Sequence, residues 1–169
     1  MSSTGDSVRV CAADYGNAEH ARALVYLLDE YAKDPMGGAC GLSDFARTNL
    51  VGALAARPQA FSVLAFKGED KAIPVGLINC LEGFSTFACK PLVNVHDVVV
   101  LPAYRGQHIA ENMLALVESL ARERGACKLT LEVLAGNAGA IRLYDRVGFS
   151  NYQLDPAMGQ AQFLQKWIA

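Results

Sequence analysis

The sequence predicts an α+β fold: one domain over residues 1–169, with a mixed, mostly antiparallel central sheet of six to seven strands and about four flanking helices. Three observations carry that reading. Apolar residues recur at helical spacing early in the chain, then give way to short apolar runs split by a polar turn. Two of those runs, 61–66 and 74–81, flank Lys67-Gly68-Glu69-Asp70-Lys71 as the arms of a hairpin. Residues 98–110 then read as a buried strand, a short turn and the start of a helix.

Taken in order, residues 1–6 are small and polar and are expected to be frayed. Residues 8–11 alternate like a short strand, and Asp14 or Asn17 can cap the helix behind it. Ala21, Leu24, Val25, Leu28 and Tyr31 form that helix's apolar stripe, which Pro35 and Gly37-Gly38 end. A second helix is expected after Ser43, with Phe45, Leu50 and Leu54 inward and Pro58 beyond its end. After the hairpin, residues 92–101 form a long central strand. A third helix starts near Gly106, with Ile109, Met113, Leu116, Val117 and Leu120 on one face and Gly125 at its C-terminal cap. Residues 128–133 make another strand, and residues 137–146 a short helix ended by Gly148. The last segment, broken by Asp155-Pro156 and Gly159, reads as a hairpin whose second strand is 163–168. Nothing in the sequence suggests repeats or an interdomain linker.

A chain that is 52% apolar and 19% charged suits a packed globular protein and argues against disorder. A net charge of −2 gives no general attraction to nucleic acid or an anionic membrane, so neither is expected as a partner. The five cysteines lack metal-ligand spacing, so no zinc or other metal site and no disulfide framework is expected. Apolar neighbours around Cys11, Cys80 and Cys127 suggest small buried side chains in a reducing compartment. No apolar run approaches the roughly 20 residues that span a bilayer, and no signal-peptide pattern opens the chain. A cytoplasmic location is the expectation.

The turn in 98–110 carries the chemistry. The first N–H groups of a helix lack intrahelical partners, and with Arg105 beside them they suit a phosphate or pyrophosphate. The dinucleotide-binding pattern Gly-x-Gly-x-x-Gly is absent, as is the Gly-Lys-Ser/Thr ending of a P-loop. The order is instead strand, Pro, Tyr-Arg-Gly, helix and strand, followed by Asn137, Ala140, Tyr144 and Gly148-Phe149. In that order and spacing the chain resembles the GNAT superfamily of N-acetyltransferases. That family's turn signature, Gln/Arg-x-x-Gly-x-Gly/Ala, meets Arg105 and Ala110 here, but its central glycine is His108.

The resemblance implies a single GNAT-type domain and acetyl-coenzyme A as co-substrate. Arg105, Gly106, Gln107, His108, Ile109, Ala110 and Glu111 would surround the pyrophosphate. The backbone of Val98, Val99 and Val100 would bind the pantetheine arm and acetyl carbonyl like an added strand. Asn137 and Ala140 would contact the coenzyme, and Tyr144 would meet the sulfur as proton donor. Each residue also has a plainer role available: Asn137 as a helix cap, Tyr144 as a core aromatic, Arg105 as a solvated helix-start cation. His108 adds bulk where glycine lets the backbone come close, and also a donor near the phosphates.

His96 and Asp97 enter the central strand together, and strict alternation would send them to opposite faces, so at most one readily meets the acceptor cleft. In the polyamine and thialysine branch of the family a glutamate stands at the place of His96 as proposed base. His96, with an ordinary histidine pKa near 6.5, is the candidate proton acceptor, alone or through a water, though it could equally be a hydrogen-bonded strand residue. A lysine-like amine, with a pKa of about 10.4, must lose a proton before it attacks. The expected reaction is therefore direct transfer of acetyl to a primary amine, without a covalent enzyme intermediate. A small free amine, polyamine- or amino-acid-like as the resemblance to the polyamine branch implies, is the preferred acceptor, with Glu82 and Asp97 placed to receive its cation. A protein lysine or N-terminal acetyltransferase and a non-catalytic acyl-coenzyme A sensor are the alternatives. Family members often dimerise, which makes a homodimer a prior only.

Overall fold

The computed structural model describes residues 7–68, 72–152, 155–159 and 161–168. The chain divides into two compact units, Met1–Leu131 and Glu132–Ala169. The first holds β1 (Val8–Ala12), α1 (Ala18–Lys33), α2 (Asp44–Ala55), β2 (Ala60–Lys67), β3 (Ile73–Ser85), β4 (Lys90–Val100), α3 (Ile109–Glu123) and β5 (Leu129–Leu131). The second holds α4 (Ala138–Arg146) and a short 3-10 turn at Pro156–Met158.

The strands form one sheet in chain order, β1-β2-β3-β4-β5, antiparallel except for the parallel β4–β5 pair. Strand β2 is buried from Ala60 through Phe66, because helices cover both faces. Leu64, Phe66, Leu77 and Val99 meet Ala23, Leu24 and Leu27 of α1. Their alternate neighbours face α3: a Cβ added at Gly76 would meet Met113 Cε at 2.8 Å and Ala65 Cβ at 3.3 Å, so the glycine makes room for that side chain. Helix α3 buries Ile109, Met113, Val117 and Ala121, one residue per turn. Each of these fully buried leucines, isoleucines and valines is worth about 1.5–3 kcal/mol of apolar transfer.

The helix starts follow their caps. Asn17 Oδ1 accepts from Glu19 N at 2.8 Å and His20 N at 3.2 Å, whereas Asp14 builds the preceding turn by accepting from Gly16 N. Ser43 Oγ accepts from Ala46 N and starts α2 as expected. Leu50 and Leu54 pack against the core, but Phe45 is 78% exposed: it sits in the first turn on the outer side of α2.

Other expectations also need correction. The sheet has five strands among the described residues, not six to seven. The missing pair was the terminal hairpin: residues 161–168 carry no strand, and Phe163, Leu164, Trp167 and Ile168 are exposed. A strand needs a hydrogen-bonding neighbour as well as β-forming side chains, and no described strand supplies one there. Residues 153, 154 and 160 of that hairpin, residues 69–71 of the polar turn, and the expected fraying of 1–6 lie outside the described residues. The strand expected at 128–133 shortens to Leu129–Leu131, the stretch that pairs with Val93, Asn94 and Val95. Of the three cysteines expected inside, only Cys80 is buried; Cys11 is half-buried and Cys127 exposed.

Candidate active site

Beyond Val95, β4 has no described strand on its β5 side, so residues 98–100 present a free edge there. Val99 is buried while Val98 and Val100 are half-buried. Pro102–Tyr104 then make a 3-10 turn, Arg105 is extended, and Gly106 takes φ +77°. His108, the residue preceding α3, also lies in the left-handed region at φ 58°, ψ 16°, and its side chain makes no capping hydrogen bond. Glycine fits that position for backbone reasons, and histidine is among the side chains that enter the region most readily. The expected start of α3 near Gly106 therefore moves to Ile109, because two positive-φ residues come first.

The charges of this turn are already engaged. Arg105 donates from Nε to the Val100 carbonyl at 3.0 Å and from its terminal nitrogen to Asp34 Oδ2 at 3.3 Å. The Met36 backbone N–H, and then Arg105, hold the Asp34 carboxyl below its ordinary value. His108 Nδ1 contacts Glu111 Oε2 within the first turn of α3. Gln107 is exposed, Ala110 half-buried and Ile109 buried. With its helix-start N–H groups, an arginine and an imidazole, the turn has the donors that a pyrophosphate needs.

A break in β4 builds the second half of the site. Asn79 pairs with Asp97 and Cys80 with Val95, so His96 is an extra residue, a β-bulge. The bulge defeats the alternation expected from sequence: His96 and Asp97 both line one cavity of about 490 Å³. Its walls come from α1 (Leu28, Tyr31, Ala32), the following loop (Gly37, Leu42), α2 (Leu50, Ala53, Leu54) with Arg57, and Asn79, Cys80 and Leu81 of β3. Glu82 is not among them: it pairs with Arg124 at 3.0 Å, beside Phe61.

Asp97 ends a polar ladder that crosses three strands on the α1 side. Asn79 Nδ2 donates to Asp97 Oδ2 at 3.0 Å, and Ser62 Oγ donates to Asn79 Oδ1 at 2.7 Å. Having spent its one proton on Asn79, Ser62 must accept from Tyr15 OH, 2.8 Å away. Every donor thus points toward the carboxylate, and each bond polarises the next. Burial raises the Tyr15 pKa; burial, then the Asp97 and Asp34 carboxylates, raises that of Tyr31. Both phenols stay neutral at physiological pH. Burial also pushes the Cys80 thiol up to about 12, so the cavity's thiol is no nucleophile.

The loop wall is pinned by Asp29. Its carboxylate accepts from the Leu42 backbone N–H at 2.8 Å and pairs with Lys33 at 2.8 Å and Arg47 at 2.9 Å. At Gly37 a Cβ would sit 1.9 Å from the Tyr31 carbonyl oxygen, so only glycine lets the loop fold against the end of α1. Sequence reading missed Asp29, Tyr31, Ser62 and Asn79. The available signal was a polar residue in the middle of an otherwise apolar strand, as in Phe61-Ser62-Val63 and Ile78-Asn79-Cys80.

In the second unit, Asn137 caps α4 by accepting from Ala140 N at 3.2 Å. Tyr144 is the buried residue of α4 and meets Phe149 edge-on, with centroids 5.7 Å apart at 65°.

Residues 18–149 match the family described as the acetyltransferase (GNAT) family. The chain belongs to that family. The match runs through α1, the cavity-lining strands, the turn and α4. Streptothricin acetyltransferase of Streptomyces lavendulae is 37% identical over 101 residues, covering 56% of this chain and 53% of that protein. Thialysine N-epsilon-acetyltransferase of Caenorhabditis elegans is 32% identical over 88 residues, 52% of each chain. The chain thus spans about half the length of these relatives. A crystal structure of a probable acetyltransferase superposes with a TM-score of 0.78 at 21% identity, covering 95% of this chain and 99% of that one. Aminoglycoside N-acetyltransferase AAC(6')-Iy in complex with CoA gives a TM-score of 0.73 at 14% identity, covering 98% and 99%. At those identities the likeness is one of fold.

Proposed function

We propose that this chain transfers an acetyl group from acetyl-coenzyme A to a small primary amine by direct attack, with no covalent enzyme intermediate. The observation that carries the reading is the β4 bulge: it turns His96 and Asp97 into one cavity immediately before the free strand edge at residues 98–100. Acetyl-coenzyme A, when bound, supplies an activated acetyl carbon on a thiol leaving group.

On the free edge Val98 and the Val100 N–H offer backbone groups to the pantetheine arm and to the acetyl oxygen as it gains charge. Arg105 Nε holds the Val100 carbonyl, and Val99 turns its backbone groups toward β3. Arg105, Gly106, Gln107, His108, Ile109, Ala110 and Glu111 form the cradle for the pyrophosphate, with Arg105 exchanging Asp34 for a phosphate oxygen. The family resemblance assigns coenzyme contacts to Asn137 and Ala140 at the start of α4. Asp97 receives the ammonium, and His96 takes the proton that leaves the nitrogen as the C–N bond forms. The departing sulfur takes a proton as the C–S bond breaks, a role the family resemblance assigns to Tyr144. Glu82, neutralised by Arg124, has no part in this scheme.

The test is release of coenzyme A thiol from acetyl-coenzyme A in the presence of a panel of small amines, lysine peptides and protein N-termini. Turnover on small amines is expected. His96→Ala should lower kcat by roughly 100-fold or more while leaving coenzyme binding intact. Tight coenzyme binding without turnover on any acceptor would make the protein a sensor, and turnover on peptides alone would make it a protein acetyltransferase.

A further inference from the structure

We infer that the acceptor is a monoamine carried on an apolar body, and that the cavity discriminates against polyamines and other polycations. The inference rests on the acetyl-transfer reading above and names its substrate class. A site for a polycation needs a carboxylate for each ammonium it draws against the apolar wall, since a charge that loses water there without a partner is costly. Among the described residues the cavity lining holds a single carboxylate, Asp97. Its one guanidinium, Arg57, stands at the end of α2 and would repel a second ammonium.

The acidic groups that could have compensated are spent elsewhere. Asp29 is tied to Lys33, Arg47 and the Leu42 N–H, and Glu82 is tied to Arg124, while Asp34 does not line the cavity. Beside these two charges the lining is largely apolar, with Leu28, Leu42, Leu50 and Leu54 among its residues. Apolar lining with a few placed polar groups is how a pocket selects one polar end on a hydrophobic body. Asp97 suits that single anchor, because the Tyr15–Ser62–Asn79 ladder fixes it in direction and supplies its hydrogen bond from inside the sheet.

The experiment compares butylamine, hexylamine, phenethylamine, 1,6-diaminohexane and spermidine as acceptors, with acetyl-coenzyme A saturating. Hexylamine should exceed both polyamines in kcat/KM by roughly tenfold or more, and lengthening butylamine to hexylamine should lower KM by about threefold per methylene. Arg57→Glu reverses the charge at an exposed helix end and should move the hexylamine-to-diaminohexane ratio toward the diamine. Spermidine turned over as well as hexylamine, or a ratio unmoved by Arg57→Glu, overturns the inference while leaving acetyl transfer intact. If no amine is acetylated, calorimetry of the coenzyme-bound protein with the same amines decides: hexylamine binding without spermidine binding keeps the ligand class and removes the transfer reading. Binding of neither removes both.

Discussion

Two parts of the site hold their charges in opposite ways. At the turn after β4, Arg105 is 58% exposed and reaches Asp34, 27% exposed, on the loop beyond α1. Inside β4, Asp97 is held by Asn79, 7% exposed, which is held in turn by Ser62, 1% exposed. Solvent screens the first arrangement, so swapping Asp34 for a phosphate costs little. The second sits where an unpaired polar group is expensive, so the ladder forms completely or the sheet suffers. Under the proposed function the difference suits two jobs: a coenzyme site must open to a charged ligand and release it, whereas an amine must meet a carboxylate already aimed.

The largest effect should come from breaking the ladder. Asn79→Leu keeps the volume close but strands the Ser62 hydroxyl and removes the N–H that holds Asp97. Unfolding in urea should show a loss of about 1–3 kcal/mol. In the same variant the KM for the amine should rise clearly while coenzyme affinity stays put. A variant as stable as the parent with an unchanged acceptor KM would show that the ladder neither stabilises the sheet nor aims the carboxylate.

Arg105→Ala probes the other side of the comparison. Losing one charge-assisted contact should weaken acetyl-coenzyme A binding by roughly tenfold or more, read by calorimetry, with almost no change in stability because the Asp34 pair is exposed. The sign of the pH dependence follows from Asp34, whose folded pKa is lowered. Its contribution is present above the ordinary carboxylate value and is lost as pH falls through the lowered one, so the ion pair stands throughout the neutral range. Under the proposed function a coenzyme therefore displaces Asp34 at any physiological pH. Equal binding by Arg105→Ala and parent would take the pyrophosphate away from this turn.

The sequence made the helices and the turn legible, because their signals are local. Asn17 and Ser43 cap where expected, and Arg105, Gly106 and Gly148 sit at turns their neighbours announce. The cavity was less legible, since it depends on register. A one-residue slip between Asn79 and Cys80 is invisible in a list of residues, yet it decides that His96 and Asp97 share a face. The same holds for Glu82, whose acidity was legible but whose partner Arg124 lies 42 positions away. The terminal strand failed for a related reason: β-forming side chains were present, but the partner they needed was not among the described strands.

The smallest expected effect belongs to His108→Gly, and it separates two roles that the sequence left joined. At φ 58° a histidine pays a steric cost of about 1 kcal/mol that glycine avoids, but glycine gives back a similar amount through the greater freedom of its unfolded chain. Thermal stability should therefore change by less than about 1 kcal/mol. The imidazole already contacts Glu111, so a phosphate gains from it only by displacing that carboxylate. If it does so, His108→Gly should weaken coenzyme binding two- to fivefold, on the order of the modest net worth of an exposed charged contact. Unchanged or tighter binding would mean that the residue occupies the left-handed position without touching the phosphates, leaving Arg105 and the helix-start N–H groups to carry the anion.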